Sequence, residues 1–267
     1  MKYKAIVLDI DGTLVVHGEP CARPAVVKAV KEAQKRGLAV IIATGRTYFA
    51  MSKEILGGIH PDFAICANGA QVIDDKGHLL ENCAFTQEEM YALVDYFEDF
   101  DYPLSFCFMD NYYVYVEYKK MKNFFKVNTG HDEYVLDGED QIRHLEDMPF
   151  GAFGVLPPEK IADFDARYGH LGLQFMAYKP GYYDIIQKGM NKAEGLKLLL
   201  ERKGWKPEEL IAIGDSDNDT PMLEFAGLSY CMENGSEKSK AVADLIAPHV
   251  RQEGVAAAVY EVLENEL

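Results

Sequence analysis

Two carboxylates one residue apart, Asp9 and Asp11, follow a short apolar segment near the start of the sequence. Residues 5–8 read Ala-Ile-Val-Leu, which is typical of a buried parallel strand, and Gly12 follows the second acid. Open α/β sheets place their chemistry at the carboxyl ends of such strands. Two acids in unequal surroundings can act as nucleophile and general acid/base, with a divalent cation reducing their repulsion. The residues alone also allow a plain turn, since Asp and Gly favour turns.

A second segment of similar design lies far downstream. The apolar residues 210–213 and a glycine lead to Asp215, Asp217 and Asp219. Neither segment fits an EF-hand calcium loop, because the first lacks acids at loop positions one and twelve and the second lacks the glycine and the final glutamate. Two acid-tipped strands indicate one carboxylate site built across neighbouring strands of a sheet. Such oxygen ligands suit Mg²⁺.

Polar residues also follow the next predicted strand, residues 38–43. Thr44 can donate its hydroxyl to a phosphate oxygen, and a helix starting just after Gly45 would point free N–H groups the same way. From the residues alone, a helix cap is the more ordinary interpretation of Thr44. Arg46 is equally compatible with a structural ion pair and with a ligand contact.

Two lysines, Lys188 and Lys192, lie just before and at the start of a predicted helix over residues 192–202. A lysine held near two aspartates and a phosphate neutralises both the carboxylate nucleophile and the phosphoryl oxygens. An ordinary surface position is the alternative for either lysine. The residues alone leave open which lysine has this role.

Taken in order along the chain, these segments resemble the four motifs of the haloacid dehalogenase superfamily. The matching segments are residues 9–14, 44–46, 188–192 and 214–219. More narrowly, the chain resembles Cof-type phosphatases with a C2B cap, and the resemblance covers essentially the whole chain apart from the weakly matching cap. Four independent motifs in the right order are far more specific than any one of them.

The resemblance implies Mg²⁺-dependent hydrolysis of phosphomonoesters through an aspartyl-phosphate intermediate. Asp9 would be the nucleophile and Asp11 the general acid/base. The metal would be held by Asp9, Asp215 and the backbone carbonyl of Asp11. The residues that would bind the phosphoryl group are Thr44, Gly45, Lys192 and Asn218. The residues that would support the site are Asp219, which orients Lys192, together with Lys188, Arg46 and Asn68.

The change of pattern along the chain predicts a catalytic core with one inserted domain. Residues 1–82 and 184–267 are expected to form a three-layer, Rossmann-like α/β core around a parallel sheet. Residues 83–183 alternate strands with helices and are rich in aromatic residues, which suggests an α+β lid whose antiparallel sheet is covered on one face. In the resemblance this lid is the C2B-type cap. The strand over residues 183–187 is interpreted as the return to the core.

Composition and charge indicate which binding partners and which cellular compartment to expect. A net charge of −16 argues against nucleic acids and anionic membrane surfaces, because both require basic patches. An anionic substrate remains compatible with this charge, since distant surface charge is screened beyond about 10 Å. Five scattered cysteines without a Cys-x-x-Cys pair indicate reduced thiols. No targeting segment or membrane-length apolar run is visible, so we expect a cytoplasmic protein.

The expected function is a phosphatase for a small phosphorylated metabolite such as a sugar phosphate, pyridoxal phosphate or a flavin-type phosphate. We expect a monomer or a weak homodimer. A sugar phosphomutase or phosphotransferase would use the same motifs, with a sugar hydroxyl in place of water. A non-catalytic metabolite-binding protein is the other alternative, but it would need a broken motif, and none of the four is broken.

Overall fold

The computed structural model describes residues 2–51, 54–128, 130 and 132–265, and the chain divides into two compact units. The first unit contains the chain up to Asn82 and again from Asn191, and the second unit contains Cys83–Met190. None of the helices in the described residues has the length and apolar character needed to span a bilayer.

From Lys192 onwards single strands alternate with α-helices, whereas before this residue successive α-helices are separated by two or more strands. In chain order the strands are β1 (Ala5–Leu8), β2 (Ala39–Ala43), β3 (Phe63–Cys66), β4 (Gln71–Asp74), β5 (Leu79–Asn82), β6 (Leu104–Cys107), β7 (Tyr112–Val116), β8 (Val135–Asp137), β9 (Gly151–Val155), β10 (Leu173–Lys179), β11 (Tyr182–Gln187), β12 (Leu210–Gly214), β13 (Leu228–Met232) and β14 (Leu245–Ala247). The α-helices are α1 (Pro24–Lys35), α2 (Gln87–Glu98), α3 (Tyr118–Asn128), α4 (Glu159–Tyr168), α5 (Lys192–Lys203), α6 (Thr220–Phe225), α7 (Glu237–Val242) and α8 (Gly254–Asn265).

The first unit is built on an eight-stranded sheet in the order β14-β13-β12-β1-β2-β3-β4-β5. The strands from β14 to β3 run parallel, and β4 and β5 add an antiparallel edge. On β1, Ala5 and Val7 pack with α5 and α6, while Ile6 and Leu8 on the opposite face are also buried. Burial of both faces explains the continuously apolar strands. The predicted α/β class is confirmed.

The second unit has a six-stranded sheet in the order β10-β11-β9-β6-β7-β8, antiparallel except for the parallel pair β7 and β8. Helices α2 and α4 cover one face, where Phe97 and Phe164 join a cluster with Tyr115. Helix α3 packs on the other face, where Phe125 contacts the cluster around Val114. The prediction of one covered face is therefore wrong, because β7 carries apolar side chains on both faces and each needs a cover.

The return of the chain to the first unit lies later than predicted. Strand β11 was assigned to the core from residue 184, but it pairs antiparallel with β9 and β10 inside the second unit's sheet. Ile185 on this strand is buried in the second unit's main apolar cluster. The second unit thus extends through Met190, and α5 is the first element after the return.

Candidate active site

The functional side chains of the first unit lie where three parallel strands end. Leu8 at the end of β1 is paired with Ile213 of β12 on one side and with Ile42 of β2 on the other. The residues that follow these strands therefore meet at one edge of the sheet. Asp9 and Asp215 are both buried there, with 5% and 7% of their surface exposed.

Lys192 is fully buried between two carboxylates. Its Nζ lies 2.6 Å from Oδ1 of Asp9 and 2.5 Å from Oδ1 of Asp219. Asn191 fixes the start of α5, because its side-chain oxygen accepts from the N–H groups of Ala193 and Glu194. Burial lowers the pKa of Lys192, but the two carboxylates outweigh this effect and raise the pKa above its ordinary value. This lysine is therefore a fixed positive charge beside Asp9.

Asp219 is saturated by donors from the protein. Its Oδ1 accepts from Lys192, and its Oδ2 accepts from the backbone N–H groups of Asp215 and Ser216, each at 2.9 Å. Gly214 makes this close approach possible, since a Cβ there would lie 2.6 Å from Cγ of Asp219. With both oxygens occupied, Asp219 orients Lys192 and the loop after β12.

Three buried carboxyl groups, those of Asp9, Asp215 and Asp219, surround the buried cation Lys192. Burial and the Asp219 carboxylate raise the pKa of Asp9 to about 8, against the opposing effect of Lys192. Burial and Asp219 also raise the pKa of Asp215 to about 6. Carboxylate oxygens of Asp9, Asp215 and Asp219 lie within 4.8 Å of one another. Asp219 accepts more protein donors in the described residues than Asp9 or Asp215 does, so Asp9 and Asp215 are the side chains that best fit a hard divalent cation.

The predicted phosphate-binding residues are partly brought together. Asn218 donates from Nδ2 to Oδ1 of Asn68 at 3.1 Å, and a Cβ on Gly45 would lie 3.2 Å from the same oxygen. Asn68 is held in the left-handed region, with φ of 53°, and its N–H donates to the carbonyl of Thr44. For a non-glycine residue this conformation is uncommon and recurs at functional sites.

The helix expected after Gly45 is not present, since described residues 44–51 form bends and turns. The hydroxyl of Thr44 instead accepts from the N–H of Arg46 at 3.1 Å. This contact satisfies a local N–H group and still leaves the hydroxyl proton to be donated elsewhere. Thr44 therefore serves as a local cap without starting a helix.

Arg46 forms an ion pair with the second leading acid. Its Nε and Nη2 donate to the two oxygens of Asp11, each at 2.7 Å. Such a two-pronged contact is geometrically specific. Of the two open interpretations for Arg46, the structure shows the ion pair. Lys188 is exposed and belongs to the second unit, so it is Lys192 that contacts the aspartates.

Two residues at the site were not assigned a role from the sequence. The Thr13 hydroxyl donates to Oδ1 of Asp215 at 2.9 Å, and Asn234 donates to the carbonyl of Gly12 at 2.8 Å. A hydroxyl two residues after Asp11 is a usable signal for Thr13. The Asn-Gly pair at 234–235 indicated only a turn, because the partners of Asn234 are remote in sequence.

Comparisons with known proteins agree with this geometry. The family model for haloacid dehalogenase-like hydrolases matches residues 6–259. The 5-amino-6-(5-phospho-D-ribitylamino)uracil phosphatase YcsE of Bacillus subtilis (strain 168) is 27% identical over 96% of this chain and 94% of its own length. A solved structure from a study of haloalkanoate superfamily phosphatases, BT1666 of Bacteroides thetaiotaomicron, has a TM-score of 0.83 and 25% identity, covering 97% of this chain and 94% of that one.

A third relative is longer than this chain. The chloroplastic endoribonuclease YBEY of Arabidopsis thaliana is 30% identical over 97% of this chain, but the chain spans only 46% of that protein. The activity in that name need not lie in the shared part.

Proposed function

Because the chain belongs to the haloacid dehalogenase-like hydrolase family, we propose that it is a phosphatase for small phosphorylated metabolites, with Asp9 as nucleophile. The family match and the relatives named as phosphatases support this class. The observation that carries the proposal is the fully buried Lys192, paired with Asp9 and Asp219. A buried cation beside a strand-end carboxylate is costly to fold and useful for binding an anion.

In the first step, a carboxylate oxygen of Asp9 attacks phosphorus and the alcohol leaves. Lys192 contacts Oδ1 of Asp9, and we assign the attack to the other oxygen, Oδ2. Lys192 stabilises the negative charge that develops on the phosphoryl oxygens. Water then hydrolyses the aspartyl-phosphate, which splits one difficult displacement into two easier ones.

Asp11 is proposed to take up a proton from solvent once it is released from Arg46, to give this proton to the leaving oxygen and then, as the carboxylate, to take a proton from the attacking water. Both of its oxygens are bound by Arg46. That pair must open before Asp11 reaches a leaving group, so Arg46 holds the acid at one side of the site until substrate arrives. Thr44, Gly45 and Asn218 are proposed to bind phosphoryl oxygens, with Asn68 fixing Asn218.

We further propose that the site uses Mg²⁺. Asp9, Asp215 and the backbone carbonyl of Asp11 would hold the ion, and the close approach of the buried carboxylate oxygens supports a cation there. When bound, the ion supplies positive charge that lets a carboxylate approach an anionic phosphoryl group. Asp219 holds Lys192 through its Oδ1.

The substrate is proposed to be a phosphomonoester of metabolite size. One relative is named for a phosphorylated ribitylaminouracil, which makes flavin-precursor phosphates a first choice beside sugar phosphates and pyridoxal phosphate. The second unit is proposed to act as the substrate lid.

A panel of phosphorylated metabolites tests the proposal. We expect Mg²⁺-dependent release of inorganic phosphate, loss of activity with a chelator, and a clear preference in kcat/KM for one substrate. Transfer of phosphate to a second sugar hydroxyl would favour a phosphomutase. Binding of metabolites without turnover in any member of the panel would favour a binding protein. Asp9→Asn is the matched inactive control.

A further inference from the structure

The loop after β13 reaches the acid cluster through Asn234. Its Nδ2 donates to the carbonyl of Gly12 at 2.8 Å and lies 3.5 Å from Oδ2 of Asp215. Its Oδ1 accepts from the N–H of Val250 at 2.8 Å. One amide group therefore joins the turn after β1, the acid after β12 and the segment before α8.

The backbone of the same loop lies against Asp215. The N–H of Ser236 donates to the carbonyl of Asp215 at 2.7 Å. A Cβ on Gly235 would lie 2.8 Å from that carbonyl oxygen and 2.5 Å from Sγ of Cys231, so only glycine permits the approach. The loop position is thus fixed relative to Asp215.

Gly12 and the Asp215 carboxylate are closely packed. Gly12 has a φ of 90°, and a Cβ there would lie 2.3 Å from Oδ2 of Asp215. Thr13 holds the other oxygen, Oδ1. Asn234 contacts both the Gly12 carbonyl and the Oδ2 side of Asp215, so together with Thr13 it links the turn after β1 to this carboxylate.

We propose that Asn234 is a positioning residue of the metal site, which holds Asp215 and the Gly12 turn in the spacing that a divalent cation requires. This inference rests on the proposed function, because it assumes that Asp215 is a metal ligand. Partners that orient metal ligands commonly change metal affinity by about 10- to 100-fold when they are removed. The role is orientation, and Asn234 itself touches no reacting atom.

The test is a titration of the purified full chain with Mn²⁺, followed by the electron paramagnetic resonance signal of the free ion. Mn²⁺ is the probe because it shares the oxygen-ligand preference of Mg²⁺. We expect Asn234→Ala to bind Mn²⁺ about 10- to 100-fold more weakly than the wild type. At saturating metal the KM for substrate should stay unchanged.

Glu233→Ala is the matched control. Glu233 anchors the same loop by accepting from the N–H of His249 at 3.1 Å, but this contact lies outside the acid cluster. Its removal should leave Mn²⁺ affinity unchanged. If Asn234→Ala fails to fold, Asn234→Ser, whose side chain is too short to reach Gly12, replaces it with the same expectation.

Wild-type affinity in Asn234→Ala, or an equal loss in Glu233→Ala, would overturn the inference. Absence of Mn²⁺ binding by the wild type would overturn it as well. The titration needs no substrate, so the two proposals can fail separately. A wild type that binds Mn²⁺ yet hydrolyses no phosphomonoester would contradict the proposed function, whereas an active enzyme with unchanged affinity in Asn234→Ala would contradict only the role of Asn234.

Discussion

The two units bury different kinds of side chain. In the first unit, charged groups are buried together at the carboxyl ends of β1 and β12, where Lys192 lies between Asp9 and Asp219. In the second unit, the interior is made largely of aromatic rings, such as Tyr96 and Phe164, whose centroids lie 5.2 Å apart at 89°. The contrast separates a unit with a buried cluster of charges from one whose interior consists mainly of packed aromatic rings.

Energetics support that separation. Burying charges costs desolvation energy that their mutual attraction only partly offsets, so such a cluster is weak evidence for stability. Edge-to-face ring pairs contribute about 0.5–1.5 kcal/mol each beyond their buried area. The buried acid of the second unit, Glu89, has a structural explanation, because it completes the capping box of α2 with Thr86. Changes to the first unit's buried charges should therefore alter rate, and also stability where a buried partner is left unpaired, whereas changes to the aromatic interior of the second unit should alter stability.

The largest effect is expected for Asp9→Asn. The amide keeps the shape of the carboxylate and can still accept from Lys192, but it cannot serve as the nucleophile. Activity should fall on the order of 10⁶-fold, as when other enzymes lose a nucleophile. Phosphate release by the purified variant measures this, with circular dichroism and melting temperature as checks of folding. A folded variant that retains more than a trace of activity would exclude Asp9 as the nucleophile.

The second effect concerns Asp11→Asn and depends on the leaving group. A general acid contributes about 10²- to 10⁴-fold, and mainly for basic alcohols such as those of sugar phosphates. An aryl phosphate leaves without a proton and should be cleaved by the variant almost as fast as by the wild type. Single-turnover release of the alcohol is the measurement, because the same residue is the proposed base for the second step and steady-state rates can hide the first.

Equal losses on both substrates, with no burst of alcohol from either, would show that Asp11 transfers no proton. In that case Asp11 would have a structural role in the loop or the metal site, where its contact with Arg46 holds it in place. A matched variant, Arg46→Lys, keeps a cation beside Asp11 but removes the two-pronged contact. If the ion pair only restrains Asp11 before substrate binds, the rate of alcohol release by Arg46→Lys should depend on the leaving group as it does in the wild type.

The third effect compares two lysines from the two units. Lys192→Ala should lower kcat/KM by about 10²- to 10³-fold, since it removes an electrostatic contact to the transition state. Lys188→Ala should change little, because that side chain is exposed and Lys192 is the lysine paired with Asp9 and Asp219. Kinetics on one substrate, with melting temperatures of both variants, make the comparison. A larger loss of kcat/KM in Lys188→Ala than in Lys192→Ala would show that Lys188, four residues earlier, is the lysine of the third motif.

The acid cluster can be predicted from the sequence because each acid lies next to the strand that positions it. Asp9 and Asp215 each follow a short apolar strand, and the ends of neighbouring parallel strands must meet. The family motifs then separated Lys192 from Lys188, which the residues alone left open.

The errors have physical causes in partners remote along the chain. Strand β11 alternates like any strand, and only its pairing with β9 and β10 shows that it belongs to the second unit. The role of Asn234 is hard to predict for the same reason, because its contacts are with residues 12, 215 and 250, which are remote or separate along the chain. The helix considered after Gly45 is replaced by a turn, because Thr and Gly favour both.

The smallest effect is expected for Thr86→Ala in the second unit. The Thr86 side chain accepts from the N–H of Glu89 at 3.2 Å, and the Glu89 carboxylate accepts from the N–H of Thr86 at 2.7 Å. Loss of an N-cap hydroxyl costs about 1 kcal/mol. Hydrogen exchange of the amides in α2 should then accelerate about fivefold, while amides of the first unit's sheet and the turnover of saturating substrate stay unchanged.

Thr86→Ser is the matched control, because it keeps the accepting hydroxyl and should exchange like the wild type. Local measurement is needed, since two units need not unfold in a single transition. A fall in turnover with unchanged exchange in α2 would reverse the assignment of roles, because a capping residue of the second unit would then act on chemistry and not on stability. Faster exchange in both units would instead show that the two units unfold together.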